Sequence, residues 1–206
     1  MKYSADNRVG PGPNYFSDAE EDVWVDESGR LHLKIAHRGS TWYATEVSTQ
    51  APLGYGKYVF YLASRVDQLD KNVVLGLFTW ESVSPCGYHN REIDIEFAKW
   101  GVEGDDNSQY VVQPCPPHRS KWDSSENNST HGSEWRPYMA YFQSFRGHLA
   151  FPVPEADAIQ AWEYEGSCIP PAGIGNARIN LWLDDGVAPS DSEEVEIVIE
   201  RFEFLP

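Results

Sequence analysis

The chain has 206 residues, 41% of them apolar and 14% aromatic, which is enough to bury one sizeable core and excludes the disordered class. A formal net charge of −16 argues against nucleic acid and anionic membrane surfaces as partners, and a neutral partner such as a polysaccharide suits it better. No run reaches the eighteen or so apolar residues of a membrane span, and the opening Met1-Lys2-Tyr3-Ser4-Ala5-Asp6 lacks the apolar region of a leader. The chain is therefore expected in the cytoplasm if complete as written, or secreted if a leader has been trimmed.

Arg8–Asn14 is loop by its Gly and Pro content. Asp22–Asp26 and Leu31–Ile35 alternate cleanly about a turn at Glu27–Arg30, which predicts a hairpin. Short strands are expected over Trp42–Ser48 and Gly56–Leu62. Asn72–Trp80 is a continuous apolar run, the mark of a strand covered on both faces. Ser82–Asn90, with Pro85 and Gly87, is loop; Arg91–Phe97 alternates strictly, and Gln109–Gln113 is strand. Pro114–Thr130 reads as irregular, and Trp135–Phe145 as a strand that turns at Gly147 into His148–Phe151. Residues 152–176 read as Pro- and Gly-rich loop with a short helical turn around Glu155–Trp162. Ala177–Leu183 is strand, and in Val195–Phe204 the apolar parity switches near Glu200-Arg201, which predicts a bulge. About a dozen short strands with turn signals between them give an all-β fold, a two-sheet antiparallel β-sandwich over residues 1–206 as a single domain. One concave sheet face would form an open cleft suited to a chain-like ligand.

The chemistry concentrates in Arg91–Phe97. Glu92, Asp94 and Glu96 project from one face of that strand, while Ile93, Ile95 and Phe97 project from the other. Same-face neighbours lie only about 6–7 Å apart, and a solvated face usually mixes signs to avoid the repulsion. Three like charges with no interleaved base cost stability and raise the pKa of at least one member. A protonated carboxyl beside an ionised one is what glycosidic bond cleavage needs. Periodicity does not say which Glu plays which part. By parity Arg91 points away from Glu92 as a strand-edge residue, and His89, in the preceding loop, receives no catalytic role.

Glu92-Ile93-Asp94-Ile95-Glu96 resembles the E-x-D-x-E signature of glycoside hydrolase family 16, in the uninterrupted form of lichenases and xyloglucan enzymes. Tyr55-Gly-Lys-Tyr58 is similar to the family's Y-G-x-Y, Gly132-Ser-Glu-Trp-Arg-Pro137 to G-F-E-W-R-P, and Asn180-Leu-Trp182 to N-L-W, in family order across residues 15–206. The resemblance implies a concanavalin A-like jelly roll. It also implies Glu92 as nucleophile, Glu96 as general acid and then base, and Asp94 as the residue that orients Glu92 and helps keep Glu96 protonated. The expected activity is retaining, endo-acting hydrolysis of β-glycosidic bonds in a polysaccharide, with a β-1,3/1,4-glucan as the favoured substrate. A transglycosylase using the same residues and a non-catalytic lectin-like module are the alternatives.

By the same resemblance Asn180 and Trp182 bind sugar. Trp80, Trp100 and Trp135 fit either the cleft or the core, and Tyr43 is a weaker candidate. Three departures stand out, Asn90 where lichenases carry an aromatic, Thr45 and Val47 where they carry a Glu/Arg pair, and Ser133 in place of Phe, and the first two touch the sugar subsites. Hydrolysis of a β-glycosidic bond is therefore a firmer expectation than any one polymer. No cofactor or metal ligand set is expected, a structural calcium on the convex face being optional, and the protein is expected to be a monomer. Of three cysteines, Cys86 and Cys115 bracket the acidic strand and form the candidate disulfide, with Cys168 left over.

Overall fold

The structure, a computed structural model, describes residues 1–4, 6–114 and 118–206. The period-two segments become strands: β1 (Tyr15–Phe16), β2 (Val23–Val25), β3 (Leu31–Arg38), β4 (Thr41–Ser48), β5 (Gly56–Leu62), β6 (Val73–Trp80) and β7 (Ile93–Phe97). They continue as β8 (Ser108–Val112), β9 (Arg119–Trp122), β10 (Ser129–Arg136), β11 (Met139–Arg146), β12 (Ala158–Glu165), β13 (Asn176–Leu183) and β14 (Val195–Leu205). Helical structure among the described residues is limited to single 3-10 turns.

Two layers face each other. An outer layer runs β12-β11-β10-β5-β14-β3 and a cleft layer runs β4-β13-β6-β7-β8-β9. The β3–β4 hairpin joins them, so the whole ladder is continuous. Strand β2 adds to β3 and β1 runs parallel to β4; the other pairs are antiparallel. This is the all-β, two-layer sandwich that the strand pattern implies, in the jelly-roll form that the resemblance implies.

The core lies between the layers and is set by parity. Directly paired residues of antiparallel strands share a face, so Leu77 with Ile95 and Leu75 with both Phe97 and Leu181 form rows that point inward. They meet Tyr58, Phe60 and Leu62 of β5, Leu33 and Ile35 of β3, and Ile197 and Ile199 of β14. Each such side chain contributes roughly 1.5–3 kcal/mol by leaving water. The opposite face of the cleft layer, also well covered along β6, is where the acidic residues stand.

Three segments differ from the sequence reading. The hairpin β10–β11 turns at Pro137-Tyr138 rather than at Gly147, because Pro137 has no N–H to give the ladder. Arg119–Trp122 is a strand inside the segment read as irregular, and Ala158–Glu165 is an edge strand preceded by a 3-10 turn at Glu155–Asp157. The bulge expected near Glu200-Arg201 is present, as a register shift between Ile199 and Arg201. The proposed Cys86–Cys115 disulfide falls on Cys115, which lies outside the described residues; Cys86 is exposed and Cys168 half-buried.

Candidate active site

The same parity that fills the core lays out the cleft floor row by row. One row runs from Glu46 on β4 through Asn180 on β13, Gly76 on β6 and Glu96 on β7 to Gln109 on β8. The next holds Arg178, Phe78, Asp94 and Val111. Trp80 and Glu92 stand at one end of these rows and Trp182 at the other. Together they line a cavity of about 480 Å³, walled on the β4 side by Lys2, Gly10 and Pro11.

Gly76 keeps the floor open. A Cβ there would stand 2.5 Å from Asn180 Oδ1, in the row between Glu96 and Asn180. Asn180 Nδ2 reaches Glu46 Oε2 at 3.4 Å, and Glu46 is held by Arg178 Nη1 at 2.9 Å and Lys2 Nζ at 3.4 Å. Asn180 Oδ1 is buried with no protein partner.

Asp94 is buried at 3% exposure, whereas Glu92 and Glu96 keep part of their surface open to the cleft. Burial, then the negative charge of Glu96, pushes the Glu92 carboxyl up to about 8; its hydrogen bond with Asp94 and the nearby charge of Arg178 oppose the rise. Burial likewise raises Glu96, against Gln109 Nε2, which donates to Glu96 Oε2 at 2.5 Å. Ionised carboxylates only accept hydrogen bonds, so the Glu92–Asp94 contact requires a proton between them. Glu92 and Asp94 therefore share a proton, and burial, more than the like-charge crowding expected from the sequence, raises Glu92 and Glu96.

Among the sequence candidates, Glu92, Asp94, Glu96, Trp80, Asn180 and Trp182 converge on this cavity. Trp100 does not line it; it packs edge-on against Trp182, ring centres 6.0 Å apart, and buttresses that end of the floor. Trp135 is not a cleft residue. It sits on β10 in the outer layer, 2% exposed in the main core, with Nε1 donating to the Pro170 carbonyl at 3.0 Å. Tyr43 lies outside the cavity, packed near Tyr15 and Arg38. Thr45 is buried, its hydroxyl donating to the Lys34 carbonyl, so β4 turns Glu46 to the cleft instead. Thr45 and Val47 form no Glu/Arg pair; a Glu/Arg ion pair stands beside them instead between Glu46 and Arg178, across two strands. Arg91 is no strand-edge residue but is buried, with Nε 2.7 Å from Glu81 Oε2. No group of three or more His, Cys, Asp or Glu side chains among the described residues is arranged to hold a metal ion.

No protein-family model matches the chain, and no curated protein matches it by sequence. Solved structures do match by shape. A Bacillus licheniformis β-glucanase aligns with a TM-score of 0.69 at 15% identity, over 100% of this chain and 91% of that one. A Mycobacterium marinum β-1,3-glucanase aligns with a TM-score of 0.70 at 15% identity, over 100% and 88%. A family 16 endo-glucanase from Bacteroides ovatus aligns with a TM-score of 0.67 at 10% identity, over 99% and 93%. The chain thus has the jelly-roll fold of the family 16 glycoside hydrolases.

Proposed function

We propose that the protein is a retaining, endo-acting glycoside hydrolase that cleaves β-glycosidic bonds in a polysaccharide, with a β-1,3/1,4-glucan as the favoured substrate. The observation that carries the proposal is the Glu92–Asp94–Glu96 row, with Glu92 raised by burial and by the charge of Glu96 and Glu96 raised by burial, on an open floor flanked by Trp80 and Trp182. Proteins of the same fold named as glucanases support the choice of polymer.

In the first step the Glu92 carboxylate attacks the anomeric carbon while Glu96 gives its proton to the departing glycosidic oxygen. Asp94 takes over the proton shared with Glu92, which frees the attacking oxygen, and Arg178 favours the ionised nucleophile electrostatically. In the second step Glu96, now ionised, removes a proton from water, which attacks the anomeric carbon of the glycosyl ester and releases Glu92. Asn180 Oδ1 accepts a hydrogen bond from a sugar hydroxyl, the donor it otherwise lacks. Tryptophan faces at Trp80 and Trp182 pack against pyranose rings.

The test is release of reducing ends from barley glucan, laminarin and xyloglucan by the wild type, Glu92→Gln and Glu96→Gln, with the product anomer followed by NMR. Activity with initial β-anomer, lost roughly 10²–10⁴-fold in either variant, is the expected result. Initial α-anomer would mean inversion. Glucan binding without reducing-end release would leave the lectin-like reading. Products lengthened by added acceptor oligosaccharide would identify the transglycosylase.

A further inference from the structure

We infer that the buried Arg91–Glu81 ion pair is a positioning device that holds a left-handed turn from which Glu92 is presented to the cleft. The inference rests on the assignment of Glu92 as a reacting carboxylate. Neither Arg91 nor Glu81 lines the cavity, so both act through the backbone.

Glu92 follows three successive non-glycine residues with positive φ: His89 at 43°, Asn90 at 57° and Arg91 at 54°. L-residues visit this region singly, because Cβ crowds the following carbonyl. His and Asn are among the types that tolerate it, and Arg is not. Asn90 therefore stands where lichenases carry an aromatic for a backbone reason. A run of this kind persists only where its surroundings over-determine it.

Here they do. The Glu81 amide donates to the Asn90 carbonyl at 2.7 Å and the Asn90 amide to Ser84 Oγ at 3.0 Å. Thr79 Oγ1 donates to the Arg91 carbonyl at 2.7 Å and accepts from the Ile93 amide at 3.2 Å, which ties the turn to the first residue of β7. The Arg91 guanidinium meets Glu81, donates to the Pro171 carbonyl, and lies 4.7 Å from the Tyr88 ring centre. Glu81 Oε2 also accepts from the Ile174 amide at 3.0 Å. Gly173 seals the pair, since a Cβ there would stand 2.0 Å from Glu81 Oε2 and 2.2 Å from Arg91 Nε.

Desolvation makes a buried ion pair a poor source of stability compared with apolar packing, and its best use is to fix one geometry. Placed immediately before Glu92, that geometry is the aim of a carboxylate. A displacement of about 1 Å at such a group costs on the order of 10²-fold in rate.

The test uses the full chain and two readouts, kcat against KM on the polysaccharide and a ¹³C NMR titration of the Glu92 carboxyl, with circular dichroism as the check on folding. The groups facing Glu92 are Asp94 and Glu96 from its own strand and Arg178 from β13, and all stay in place. Arg91→Met is expected to fold, lose about 10- to 100-fold in kcat with KM nearly unchanged, and displace the Glu92 titration; Arg91→Lys restores part of both. If Arg91→Met does not fold, Asn90→Val and Asn90→Gly decide. Valine resists positive φ and should lower kcat and move the titration, whereas glycine accepts it and should do neither. A folded Arg91→Met with wild-type kcat and titration, or Asn90→Val indistinguishable from Asn90→Gly, overturns the inference. Retained activity in Glu92→Gln would refute the assignment of the nucleophile instead, and the titration would still report on the turn.

Discussion

Replacing Gly76 by alanine tests whether the open floor is functional. The backbone tolerates the change, since Gly76 does not have a positive φ, so the effect is steric. The new methyl would stand 2.5 Å from Asn180 Oδ1, while ordinary contact begins at 3.4 Å, so the amide has to retreat by about 0.9 Å. It then leaves its 3.4 Å contact with Glu46 and the position from which Oδ1 faces the cavity. Overpacking of this kind costs about 1–3 kcal/mol of stability. Loss of one sugar hydrogen bond, about 1 kcal/mol, lowers kcat/KM by roughly fivefold, mainly through KM. Steady-state kinetics on the responding polymer and a thermal melt measure both. Asn180→Ala supplies the control: with the amide gone the methyl has room, so Gly76→Ala should add little further loss in that background. Fully additive effects, or unchanged KM in Gly76→Ala, would refute the reasoning.

The carboxylate row makes a prediction about pH. Glu92 ordinarily titrates at 4.5 and is raised to about 8 in the fold, so between those values the native state binds the extra proton and stability falls as pH rises. Glu92→Gln removes the charge and should melt above the wild type at pH 8, by at least about 1 kcal/mol in stability, the two curves converging below pH 4.5. Melts across that range check the sign, and a wild type that gains stability on going from pH 5 to 8 relative to the variant would contradict it. Trp135→Ala should cost about 3–5 kcal/mol in denaturant unfolding while the folded fraction keeps its KM. Trp182→Ala, at a residue that both lines the cleft and packs on Phe16, Val74 and Trp100, should raise KM up to about tenfold on the same polymer and also cost about 3–5 kcal/mol of stability.

The acidic strand was legible because period-two alternation assigns faces without any knowledge of partners, and three like charges on one face are anomalous enough to need a use. The Glu46–Arg178 pair was not, because it is a matter of register between β4 and β13, and along Thr41–Ser48 both faces mix polar and apolar residues. Strand β10 was hidden by its polar interior. Ser129, His131 and Ser144 face inward and satisfy one another, His131 lying 2.7 Å from each serine hydroxyl, so the start of β10 at Ser129-Thr130 reads as irregular. This same inward parity carries Trp135 into the core. Strand β12 looked helical because a register shift against Ser144-Phe145 leaves Ile159 as an extra residue, putting Ile159 and Trp162 three apart against the core. The left-handed turn before Glu92 left only Asn90 as a trace, since the sign of φ is not written in residue type.

The place of β14 has a consequence for synthesis. It follows all the other described strands in the chain, yet it is inserted between β3 and β5, an interior position of the outer layer. On the ribosome β3 and β5 emerge early and wait, with their facing edges unpaired, until residues 195–205 leave the exit tunnel. Pairings between such distant segments form slowly, and open edges of this length recruit neighbouring chains. A nascent chain stalled before Val195 therefore leaves the facing edges of β3 and β5 open to other strands, and the outer layer closes only once β14 enters the gap.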